Sequence, residues 1–141
     1  MPKDTAKLLE ELQNFAGFEQ FYNENQAHLS DTPLTEALQA LMEQKQLSLA
    51  EVVKNSEMNE TYAYQILSGI KPHPKREKLL CLAFGMGLSV DEVQALLKVT
   101  GYAPLYAKRP ADAVILYGLY QHLNVVEINH LLFEYGQETL G

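Results

Sequence analysis

The chain has 141 residues, 47% of them hydrophobic and 21% charged, a size and balance that suit one folded domain and exclude a disordered chain. One cysteine excludes an internal disulfide framework, and no apolar run approaches the ~18 residues that a membrane span needs. The net charge of −7 argues against binding nucleic acid by bulk electrostatics, so the distribution of charge matters more than its sum. Residues 1–60 carry 4 Lys/Arg against 11 Asp/Glu, residues 61–110 carry 7 against 3, and residues 111–141 carry none against 4. The opening MPKDTAKLLEEL is charged from its third residue and reads as neither an export signal nor an anchor, which makes the cytoplasm the expected compartment.

In residues 1–31, Leu8, Leu12, Phe15, Phe18, Phe21 and Tyr22 recur at spacings of three and four. They predict an acidic amphipathic arm, one helix or a helix broken near Gly17, whose aromatics pack on the chain's own core or on a second copy. SDTP at 30–33 then starts a new helix, with Thr32 as cap and Pro33 at its first position.

Three later places share a pattern: LSLAEV at 47–52, LSVDEV at 88–93 and LNVVEI at 123–128. In each, Ser48, Ser89 or Asn124 is followed three residues later by Glu51, Glu92 or Glu127, the signature of a capping box. Helices are therefore expected to start at about residues 49, 90 and 125. Residues 88–105 and 123–140, offset by 35, are identical at 7 of 18 positions, with Val93/Ile128 and Gln94/Asn129 close besides. This suggests two similar helical hairpins in series. AVILYGLY (113–120) is rich in strand formers, but it continues from Pro110 and Asp112 as a helix start does and reads as a buried helix. GMG at 85–87 lacks a preceding strand and reads as a helix end and turn, and GYAPLY at 101–106 as a packed turn. Cys81, inside LLCLAF, is expected to be a buried reduced thiol.

The segment LSLAEVVKNSEMNETYAYQILSG (47–69) places a capped helix, a short turn and a second helix ending at Ser68-Gly69. Val52, Val53, Met58, Ala63, Ile66 and Leu67 are spaced for a shared core, leaving Glu60, Thr61, Tyr62, Tyr64 and Gln65 outward. Here the chain resembles the helix-turn-helix of the lambda-repressor/Cro class, the XRE family of bacterial and phage regulators. The resemblance runs over about residues 34–98: the helix TPLTEALQALMEQKQ, the LS opening the next, the Ser-Gly ending the recognition helix, and KPHPKREKLLCLAFGMGLSVDEV. The chain departs from the family at Glu57, where a turn glycine is usual, at Leu49, where many members have Gln, and in having no Lys or Arg on the candidate recognition surface.

Helical periodicity throughout predicts an all-α chain of seven or eight helices, with the arm at 1–31 and a C-terminal helical hairpin at 101–141 packed on a domain at 32–100, which the resemblance implies is a lambda-repressor-like helix-turn-helix domain. The resemblance also implies a transcriptional regulator that binds double-stranded DNA as a homodimer joined by the arm or the hairpin. Glu60, Thr61, Tyr62, Tyr64 and Gln65 are the candidates to read bases. Lys71, His73, Lys75, Arg76 and Lys78, clustered about the start of the next helix, are the candidates to hold phosphates. Lys108 and Arg109 form a second small basic spot. The alternative is an interaction protein with a degenerate helix-turn-helix that binds a protein partner through its acidic arm or hairpin. His28, His73, His122 and His130 show no metal-ligand spacing beyond the pair His130 and Glu134, and no nucleophile and acid constellation is visible. Neither a cofactor, a metal, a catalytic residue nor a membrane partner is expected, and the chain is not expected to be an enzyme.

Overall fold

The computed structural model describes residues 5–14 and 33–141, and all the regular structure among them is helical. The elements are α1 (Thr5–Asn14), α2 (Leu34–Gln44), α3 (Leu49–Ser56), α4 (Glu60–Leu67), α5 (Arg76–Gly85), α6 (Val90–Val99), α7 (Pro110–Tyr120) and α8 (Val125–Glu134). The chain is thus all-α. Contacts divide it into Met1–Asp31 and Thr32–Gly141. α1 belongs to the first unit, and Phe15, Phe18, Phe21, Tyr22 and Thr32 lie outside the described residues. No helix among those described is long and apolar enough to cross a membrane.

The helix starts follow local chemistry. Ser48, Ser89 and Asn124 each accept a hydrogen bond from the backbone N–H three residues on, and α3, α6 and α8 begin at Leu49, Val90 and Val125. The reciprocal bond, from the cap's backbone N–H to the Glu carboxylate, forms at Ser89 (2.9 Å) and Asn124 (3.0 Å). At Ser48 the box is half made: the Glu51 carboxylate accepts a hydrogen bond from the Ser48 hydroxyl (3.1 Å) and none from the Ser48 backbone N–H. Pro33 is the cap residue of α2, so that helix begins one residue later than expected, at Leu34. Ser89→Ala and Asn124→Ala are each expected to cost about 1 kcal/mol in urea unfolding, with Ser48→Ala costing less because its box is incomplete.

From Leu79 onward α5 is apolar on every side and packs on α3 and α8. Leu79, Leu80, Cys81, Leu82, Ala83, Phe84 and Gly85 are all buried, as a helix hydrophobic all round must be. Burial pushes the Cys81 thiol up to about 11, so it stays protonated and inert. α3 packs on both α4 and α5, and α2 on α4. The Lys45 ammonium, just past α2, pairs with Glu92 of α6 at 3.0 Å.

The duplication foreseen in 88–105 and 123–140 is present in three dimensions. Gln94 clamps Leu105 with a pair of amide hydrogen bonds, Leu105 N–H to Oε1 (2.7 Å) and Nε2 to Leu105 O (2.9 Å). Thirty-five residues on, Asn129 clamps Leu140 in the same way (2.6 and 3.1 Å). Both leucines are buried. Both hairpins also turn through a left-handed residue, Gly87 or His122, before a leucine whose N–H closes on the preceding helix. Gln46 makes the same turn after α2, and Leu47, Leu88 and Leu123 all line one cavity of about 410 Å³.

The two hairpins meet through crossed contacts. α5 of the first touches α8 of the second, and α6 of the first touches α7 of the second, so exchanging the hairpins carries one contact onto the other. Their tails cross over reciprocally: Tyr106 N–H donates to Asp112 of α7 (2.9 Å), and Gly141, its counterpart 35 residues on, accepts from Lys78 of α5 (3.0 Å).

Candidate functional site

α3 and α4 are joined by three residues, Glu57, Met58 and Asn59. Glu57 stands in the left-handed region (φ 57°, ψ 23°), the conformation a turn glycine would supply, which a β-carbon makes costly. Buried Ser56 ties the corner: its hydroxyl donates to Val53 O (2.7 Å) and accepts from Met58 N–H (3.4 Å). Asn59 then caps α4 through Tyr62 N–H (3.0 Å). Val52, Val53, Ala63, Ile66 and Leu67 are buried and Met58 packs against them, which fixes how α4 is presented.

On the other side of α4, Glu60, Thr61 and Tyr64 are exposed and Gln65 is partly exposed. Tyr62 departs from the expected outward position. It sits four residues before Ile66, packs half-buried against the core, and carries the Lys78 ammonium over its ring at 5.8 Å from the centroid.

The basic loop is held firmly against this helix. Lys71 N–H donates to Gln65 O (3.0 Å), Pro74 is buried, and the Tyr102 hydroxyl donates to Pro74 O (2.5 Å). Burial, with Tyr62 nearby, raises the Tyr102 hydroxyl above its ordinary value and keeps it a neutral donor. Lys71, His73 and Lys75 are exposed along the loop. Arg76 and Lys78 have partners within the fold instead. The Arg76 guanidinium forks onto Asp112 (Nη1–Oδ1 and Nη2–Oδ2, both 3.1 Å) and also donates to Ala103 O (2.9 Å) and Pro104 O (3.1 Å). Lys78 is drawn between Gly141 O and the Tyr62 ring. These partners lie 16 to 63 residues away in sequence, so the basic run itself carries no sign of them.

GYAPLY is therefore a packed turn: Tyr102 braces Pro74, Ala103 and Pro104 receive Arg76, and Leu105 is clamped by Gln94. Lys108 and Arg109 are exposed at the start of α7. Ile70, between α4 and the basic loop, is 70% exposed, an apolar contact point that the polar reading of this surface passed over. Among the described residues no three His, Cys, Asp or Glu side chains gather as metal ligands would.

Fold and site define an all-helical chain with a tight two-helix corner beside a basic loop. No family model, no curated protein and no solved structure matches the chain.

Proposed function

We propose that the chain is a non-catalytic, sequence-specific DNA-binding regulator of the XRE type, acting as a homodimer with α4 as its recognition helix. The observation that carries this reading is the corner itself. A left-handed Glu57 and a capped α4 set a short helix with Glu60, Thr61, Tyr64 and Gln65 accessible, directly followed by a braced loop bearing exposed Lys71, His73 and Lys75. A major groove admits such a helix, and adjacent cations hold its flanking phosphates. In this reading Gln65 pairs with an adenine edge, Glu60 accepts from a cytosine amino group, and Thr61 and Tyr64 meet a thymine methyl or a phosphate. Two-fold assembly doubles the few phosphate contacts that one copy makes.

The two sets of side chains are expected to fail differently. Lys71→Ala and Lys75→Ala weaken binding to all duplexes alike and lower the slope of log affinity against log salt by about 1 each. Thr61→Ala and Gln65→Ala each cost about 1–3 kcal/mol on the preferred site and little on other sequences. Titration of labelled duplexes at several salt concentrations measures both, and a uniform loss across all four variants counts against the assignment.

A second reading, an interaction protein that kept the corner but binds a protein partner, is favoured by one observation: Arg76 and Lys78 are engaged within the fold, while acidic Glu57 and Glu60 flank the start of α4. It stands if the wild type binds no duplex at low salt, where charge attraction is strongest.

A further inference from the structure

The 35-residue correspondence between the hairpins leaves one of them bare where the other is covered. On α5, Leu79, Leu82 and Gly85 are buried, and Gly85 lies against the backbone of α3. Their counterparts on α7, 35 residues on, are Val114, Tyr117 and Tyr120, of which Tyr117 is 54% and Tyr120 68% exposed. Leu96 of α6 is buried, whereas its counterpart Leu131 on α8 is only partly so, and Tyr135 beside it is 66% exposed. Ala113, Val114, Tyr117, Leu131 and Tyr135 line a mostly apolar groove of about 340 Å³, and Tyr120 stands one turn along the same side of α7.

We infer that this groove is the homodimer interface, occupied by the same face of a second copy, with Tyr120 of each protomer seated in the groove of the other. Three observations converge on a second copy rather than another partner. The face holds a knob and a groove side by side, so a two-fold makes it complementary to itself. This hairpin already packs against its own duplicate within one chain, α8 on α5 and α7 on α6. Tyr117, Tyr120 and Tyr135, each of roughly 200 Å², expose about 400 Å² between them, half of the ~800 Å² that each partner of a stable interface buries, with Ala113, Val114, Leu131 and the rim to add. The inference rests on the dimeric part of the proposed function and not on DNA binding, so it is tested without DNA.

Sedimentation equilibrium of the full chain is expected to show a mass twice 15.9 kDa. Tyr120→Glu and Tyr117→Glu, each placing two like charges in a desolvated contact, are expected to raise the dimer dissociation constant by roughly 30-fold or more. Phe133→Glu, at a position 79% exposed and pointing away from Leu131 and Tyr135 around α8, leaves the dimer intact. Circular dichroism checks that each variant keeps its helix. A monomeric wild type overturns the proposal. So does a dimer that survives both tyrosine changes, which would place the contact in residues 1–31 or elsewhere, or one that Phe133→Glu dissociates.

Discussion

Arg76→Ala is expected to destabilise the fold by about 3 kcal/mol, several times the effect of removing an ordinary surface charge. The side chain of Asp112 is 6% exposed, and the guanidinium that pairs with it also satisfies two backbone carbonyls of the 103–106 turn. Deleting Arg76 leaves a buried carboxylate with the Tyr106 N–H and without its charged partner, and frees the turn that Gln94 and Tyr102 also hold. Asp112→Asn keeps the shape but loses the charge-assisted fork, and is expected to cost less.

The same pair sets a pH dependence. Burial alone would raise the Asp112 carboxyl, but hydrogen bonds from Arg76 and from Tyr106 N–H, with the charges of Arg76 and Arg109, outweigh it and hold the group below its ordinary value. A carboxyl depressed on folding contributes its full stabilisation above its unfolded value of about 3.9, and loses it as pH falls toward the folded one. The stability gap between the wild type and Asp112→Asn is thus expected to be constant near neutrality and to narrow below about pH 4, as read by urea unfolding across pH. A gap independent of pH down to 2 would contradict the pairing.

Gly85→Val is expected to cost about 3 kcal/mol or more and to disturb the corner that presents α4. A β-carbon at Gly85 would stand 2.9 Å from Ser56 N, 3.0 Å from Val52 O and 3.1 Å from Ser56 Cα, all of them backbone atoms of α3 that no rotamer change can move aside. Gly85→Ala meets the same atoms but gains up to about 1 kcal/mol of helix propensity, so its net cost is smaller. Gly87 is the contrasting case. It needs a positive φ of 66°, yet nothing lies within 4 Å of its would-be β-carbon, so Gly87→Asn is expected to cost under about 1 kcal/mol. Thermal unfolding of the three variants separates close approach from backbone conformation.

What was legible in the sequence divides along the range of the interactions. The starts of α3, α6 and α8 could be read because capping spans three residues, and the helix at 113–120 because Pro110 and Asn124 bracket it, but it is buried on one side only, at Ile115, Gly118 and Leu119, with Tyr117 and Tyr120 exposed where a wholly buried helix was expected. Tyr62 was misplaced although the signal was present: its spacing of four from Ile66 puts it at the edge of the core stripe. The fork from Arg76 to Asp112 and the tether from Lys78 to Gly141 were not legible, because each depends on how the second hairpin folds back on α5. The amide clamps lay between. The offset of 35 aligned Gln94 with Asn129 and Leu105 with Leu140, but only the tertiary turn shows each amide meeting its leucine.

Recognition of duplex DNA by α4 and its basic loop is tested by selecting bound sequences from random duplexes with the full chain and titrating the enriched site over a range of salt. The expected result is an enriched site bound at least ~10³-fold more tightly than an unrelated duplex, with log affinity falling linearly with log salt. No enrichment, together with no duplex binding at low salt, would contradict it.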